Sequence, residues 1–359
     1  VQQRTTSEEI RGRVINIDDE EILSSGVSYI GHQVLKVKVL EGPFSDDIIN
    51  VNNLLMGQSD YDEIYKAGDN ILMALSVESN QVKDARAISM NRSPWLLILV
   101  GIMALMLLVY GRWVGFKALV SFLLSIWIIW FVLIKGLVSG QSPILLTTLT
   151  VILLSAIIIF LVSGFNRRGL AAFISTISGL LIALIVTHIF GSKMGLYGLT
   201  EPYVQTLVVS GYFNLNLLEI FYAAIILGAS GAAMDIAVDV SASMHEIMIN
   251  NPLISRKKLI QSGLNVGRQV IGTMTTTLLL AYSGSYLTLL MLFMVKDTTF
   301  IRMMNMKIVV SEVLRTIMGS IGLIMVAPLT ALIAGTLFTR KKSSTASARV
   351  ELKTSENIN

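Results

Sequence analysis

Residues 95–338 form a succession of long apolar runs separated by short polar connections. The run 143–165 carries no charge. It exceeds the roughly 20 helical residues needed to cross a bilayer core. A soluble core has no use for several such runs in succession. Only helices can supply them, because lipid offers no partner to an unpaired backbone N–H. The pattern predicts an α-helical polytopic membrane protein with about seven transmembrane helices. They are expected at 94–110, 115–134, 143–165, 169–190, 217–240, 270–293 and 308–338.

The chain is 53% hydrophobic and 14% charged, which fits a membrane protein better than a soluble one. It has no cysteine, so disulfides, thiolate metal sites and cysteine nucleophiles are excluded. The net charge of +4 does not call for nucleic acid. The cations sit in short loops and the tail, where they set orientation. Arg112 and Lys117, Arg167 and Arg168, Arg256, Lys257, Lys258 and Arg268, and Arg340, Lys341 and Lys342 all fall on one side of a seven-span chain. That side is expected to be the cytoplasm, with residues 1–93 outside and 340–359 a cytoplasmic basic tail. Lys296, Arg302 and Lys307 dissent. Because the sequence opens on Val1 with a domain that must be translocated, a preceding signal or anchor helix is expected.

Residues 1–93 read differently. Short alternating stretches at 11–17, 32–40, 47–53, 70–77 and 83–90 predict strands, separated by turn signals at 41–43, 59–60 and 68–70. About five strands in this length suggest a small barrel of OB or SH3 type, outside the cell. With no aromatic ladder or basic cluster, it is expected to serve structure or protein contact and not ligand binding.

Polar chemistry within the membrane concentrates in three runs. Asp235 and Asp239 are four residues apart and share a helix face in the expected cytoplasmic half of the fifth span. Intramembrane carboxylates are costly and usually face a bundle interior or a water-filled cavity. Two on one face can share a proton or a cation. The alternative is structural, with Asp239 at the interface and Asp235 held by Arg268 or an amide. Gly228 and Gly231 offer a small surface for close helix packing. The next span brings Arg268, the natural countercharge, and Thr276, although threonines often only bond back to their own helix. In the last span Glu312 and Arg315 are spaced to pair. Gly319 and Gly322 should let a neighbouring helix approach. No P-loop, HExxH, GxSxG or dinucleotide fingerprint is present, so no enzyme is expected, and no metal or cofactor.

The segments 228–247, 255–285 and 311–335 together resemble the YibE/YibF family of bacterial multi-spanning membrane proteins. The likeness covers the membrane part, and the domain before it resembles the longer, YibE-type members. It implies a bacterial cytoplasmic membrane, a Gram-positive cell and a paired short-form YibF-like subunit or a homo-oligomer. It implies little about activity. A fainter resemblance connects Asp239, Glu246 and the threonine-rich span to RND or SecD/SecF-type units, where such an aspartate belongs to a proton pathway. The leading expectation is a proton- or cation-coupled transporter or export component. The competitor is a non-transporting envelope scaffold, assembly factor or receptor.

Overall fold

The structure is a computed structural model and describes residues 7–26, 28–58, 62–78 and 81–356. It divides into two compact units, residues 1–106 and 107–359. The expected turn at 59–60 and the side chains of 340–342 lie outside the described residues.

The first unit holds a closed barrel of β1 (Ser7–Ser25), β2 (Ser28–Val39), β3 (Ile48–Met56), β4 (Asn70–Glu78) and β5 (Gln81–Met90). Its order is β1-β2-β3-β5-β4, with β1 antiparallel to both β2 and β4 and a parallel bridge Asn52↔Arg86 between β3 and β5. This is the five-stranded Greek-key layout of an OB-type barrel. Alternate residues point inward, as the pleat requires: Leu35, Val37 and Val39 from β2, and Ile71, Met73 and Leu75 from β4, are fully buried. Gly12 has no side chain because a Cβ there would meet Val37 and Met73 across the barrel.

The remainder is helical. Its elements are α1 (Ser93–Ile128), a π-helical stretch (Ile129–Ile134), α2 (Lys135–Val138), α3 (Pro143–Ser163), α4 (Arg167–Lys193), α5 (Val204–Val209) and α6 (Leu217–Asn250). They continue with α7 (Arg256–Ser285), α8 (Leu287–Val295), α9 (Phe300–Met304) and α10 (Lys307–Glu356). Five helices are long and apolar enough to cross a membrane, or six if α7 and α8, bent by 66°, form one broken span. The count falls short of seven because the first two expected spans join into one helical stretch, Ser93–Val138. That stretch is not straight. Arg112 is non-helical (φ 46°, ψ −122°), and a Cβ on Gly115 would meet the Leu107 carbonyl, eight residues back. A continuous helix would separate those residues by about 12 Å, so the chain doubles back at Arg112.

Local signals explain several ends. Pro143 sits in the first turn of α3, and Gly164, at φ 82°, stops it. Asn166, Asn216 and Ser255 cap α4, α6 and α7 by accepting from the N–H groups of Gly169, Glu219 and Lys258. α10 packs on α4, α6 and α7, with a core running through Ala183, Ala233, Ala237, Val326, Ala327 and Ala331. Between membrane helices the stabilising term is close packing, so small residues fill these seams.

Candidate ion-coupling site

Contacts between helices fix their levels in the bundle. A Cβ on Gly263 of α7 would touch Met244 of α6 and Ala331 of α10, and Gly319 of α10 neighbours Ala229 of α6 and Leu278 of α7. Hence α6 and α10 run parallel, and α7 runs against both. Gly179, near the middle of α4, fits against Val326 and the Gly322 carbonyl. Residues 322–326 lie midway between Gly319 and Ala331, so the middle of α4 is level with the stretch of α6 near Ile236. Asp235 and Asp239 therefore straddle the midplane of the helical bundle. The sequence expectation set both nearer one end of a span that closed at 240, and the longer helix changes their place along it. α6 continues to Asn250, ten residues past the expected end at 240, which moves the pair to the centre.

Both aspartates are exposed on the side of the single chain. They align with Gly228 within about 20° on the helix, and Gly231 lies on the same side. Gly231 has nothing within 4 Å, while a Cβ on Gly228 would come 3.2 Å from the Tyr282 hydroxyl of α7. Tyr282, Thr275 and Arg268 follow one line on α7, so this line borders the aspartate stripe. Gly267 packs on Ala327, which sets Arg268 level with Asp239.

Arg268 does not act as an intrachain countercharge. Its guanidinium donates to Asn265 Oδ1 at 3.2 Å, and among the described residues no salt bridge reaches either aspartate. Arg268, Gln269, Thr273 and Thr276 are exposed beside the stripe. Thr276 donates to its own helix at Gly272 O, 3.4 Å, while the buried Thr275 hydroxyl has no partner. Gly231 seats no helix of the chain itself among the described residues, and Gly228 meets only the Tyr282 hydroxyl of α7, while Gly319 and Gly322 were also expected to pack. Gly319 and Gly322 do, with Gly322 3.1 Å from Ala183 by the same Cβ measure. Charged groups at the centre of a lipid-facing helix cost about 2.5–3.5 kcal/mol each on insertion scales. This face is therefore unsuited to lipid.

A second polar group lies at the opposite end from Arg167, Arg168 and Arg256. Arg315 is 3.5 Å from Glu312 and donates to Glu201 in the connection between α4 and α6. All three side chains are largely buried, and Glu312 Oε2 and Arg315 Nε have no partner. Burial pushes the Glu201 carboxyl above its usual range, Arg315 pulls it down, and Glu312 raises it again. Sequence reasoning passed over Glu201. It is 114 residues from Arg315, and no local spacing could mark the pair. His245, level with Gly263, stacks edge-on to Phe338 with Nδ1 unpartnered.

No curated protein and no solved structure matches the chain, and the likeness to RND or SecD/SecF-type units gains no support. The family model described as YibE/F-like protein matches residues 99–340, more than half of the sequence and all of the bundle from α3 to the end of the last apolar run. The chain therefore belongs to the YibE/F-like family.

Proposed function

We propose that this protein is a proton- or cation-coupled transport or export subunit of the bacterial cytoplasmic membrane, working with a second membrane subunit. Asp235 and Asp239 are the coupling groups. The observation that carries this reading is their position: two carboxylates at bundle mid-depth, exposed, and among the described residues paired with no cation. A sealed and fully paired aspartate would suit a scaffold. An unpaired one beside small residues suits a path along which a proton or cation passes from one carboxylate to the next.

In this reading the chain crosses the membrane seven times. The reversal at Arg112 splits the first long stretch in two, and the bent α7–α8 pair makes one broken crossing. Arg167, Arg168, Arg256, Lys257 and Lys258 gather at one end of the bundle, which the cation bias assigns to the cytoplasm, and the barrel is outside. Arg167 donates to Leu337 O at 2.7 Å, tying the entry of α4 to the last apolar turns of α10 at that end.

The test is flux into proteoliposomes under an imposed proton or sodium gradient, with and without a short-form partner. Asp235→Asn keeps size and hydrogen bonding but cannot titrate, so flux should fall at least tenfold while expression and assembly persist. Full flux in an Asp235→Asn, Asp239→Asn double variant would remove carboxylate coupling and leave the envelope scaffold as the better account.

A further inference from the structure

The uncovered α6–α7 face carries both signs of charge at one depth. Asp239 and Arg268 are level, yet among the described residues neither has an ion-pair partner. Beside them Gly228 and Gly231 present backbone alone, with the space over Gly231 empty to 4 Å. We propose that this face is the interface of a two-fold dimer with a second copy of the chain, in which Asp239 of each copy meets Arg268 of the other. The proposal deepens the two-subunit reading above and rests on it.

Geometry selects the second copy. Two copies inserted in the same direction relate by an axis along the bilayer normal, so only groups at equal depth meet across it. A two-fold interface is also isologous, placing the same patch on both sides. A patch is self-complementary in charge when an acid and a base stand side by side at one level, and Asp239 and Arg268 meet that condition. The glycines let the two α6 backbones approach closely, which strengthens packing in lipid. Two aspartates and one arginine per copy leave one carboxylate without a cation. Asp235, nearer the glycines and without an arginine at its level, keeps that role and stays free for the coupling ion. A different subunit would have to supply both a cation and an anion at this depth from another sequence.

The cysteine-free chain allows a direct test. Gly231→Cys should form an interchain disulfide in membranes, giving a species of twice the chain mass. Leu181→Cys, on an exposed face of α4, should not. In the Gly231→Cys background, Asp239→Arg or Arg268→Asp alone should lower cross-linking at least tenfold. The double reversal should recover it to within twofold. Co-expression of the Asp239→Arg chain with the Arg268→Asp chain should yield mixed dimers in preference to either self-pair, because both cross-pairs are then restored. That arm decides even if a single variant accumulates poorly. A monomeric mass for the full chain in nanodiscs, a Gly231→Cys adduct formed only with a different chain, or failure of both rescues would overturn the dimer. Dimers that survive Asp235→Asn while flux stops support both readings. Intact dimers with unimpaired flux in the Asp235→Asn variant remove only the coupling role.

Discussion

Gln33 shows what a single residue contributes where sequence reading assigned only a strand. Fully buried in the barrel, it uses all of its side chain. Its amide donates to Asp19 Oδ1 at 2.8 Å and to Tyr65 O at 2.9 Å, and its oxygen accepts from Asn53 Nδ2 and Tyr65 N, both at 3.1 Å. The segment before β4 is thereby fastened to β2 and β3. Alternation within 32–40 predicted the strand, and Leu35, Val37 and Val39 turn out to be its inward residues. A glutamine at the same parity reads as an exception until its partners are known, because those partners come from residues up to 32 positions away. Replacing it by leucine would strand the Tyr65 N–H and the Asn53 amide in an apolar interior, and a buried unsatisfied group costs about 1–3 kcal/mol. Gln33→Leu should therefore raise amide exchange in β2, β3 and the segment around Tyr65 by about one to two orders of magnitude. Exchange in α6 should be unchanged. Hydrogen–deuterium exchange on the whole chain reads both.

At the scale of elements, apolar runs located the helices better than their ends. α7 was expected from residue 270 but starts at Arg256, because Ser255 caps it and its first half is polar on one side only. α6 was expected to stop at 240, where small and polar residues begin, yet Ala237, Val240, Ser241 and Met244 remain buried and carry the helix onward. Hydropathy registers how apolar a segment is, and these extensions are held by neighbouring helices and not by lipid. The same limit hid which glycines serve packing inside the chain. Gly179, Gly263, Gly267 and Gly335 each meet a neighbour at or within about 3 Å of a notional Cβ, whereas Gly231 meets none. Two leucine substitutions should therefore behave oppositely. Gly179→Leu forces a side chain into Val326 and the Gly322 backbone, and overpacking costs about 1–3 kcal/mol or more. It should lower the melting temperature of the purified chain and its yield. Gly231→Leu should leave the melting of the single chain unchanged and reduce only its assembly. Equal melting losses in both variants, measured by scanning fluorimetry in detergent, would contradict the assignment of the two faces.

For the whole molecule, orientation is the property on which the other proposals depend. The cation bias can be read in sequence because cations are placed by translocation and not by packing, so it survives without knowledge of the fold. Helix directions in the bundle now give the bias a spatial form. Arg167, Arg168, Arg256, Lys257 and Lys258 come from separate connections and meet at one end, whereas Lys193, Lys307 and Arg315 belong to the other. Two cations at that other end have partners of their own. Lys307 lies over the Tyr197 ring, 5.3 Å from its centroid. Arg315 is neutralised by Glu201 and Glu312. Because the chain lacks cysteine, single reporters can settle the matter. Ser45→Cys lies in an exposed turn between β2 and β3, and Leu253→Cys in the exposed connection between α6 and α7. In intact cells an impermeant maleimide should label the first and not the second, and after permeabilisation it should label both. Labelling of Leu253→Cys before permeabilisation would invert the orientation. The coupling ion would then reach Asp239 from outside the cell before Asp235.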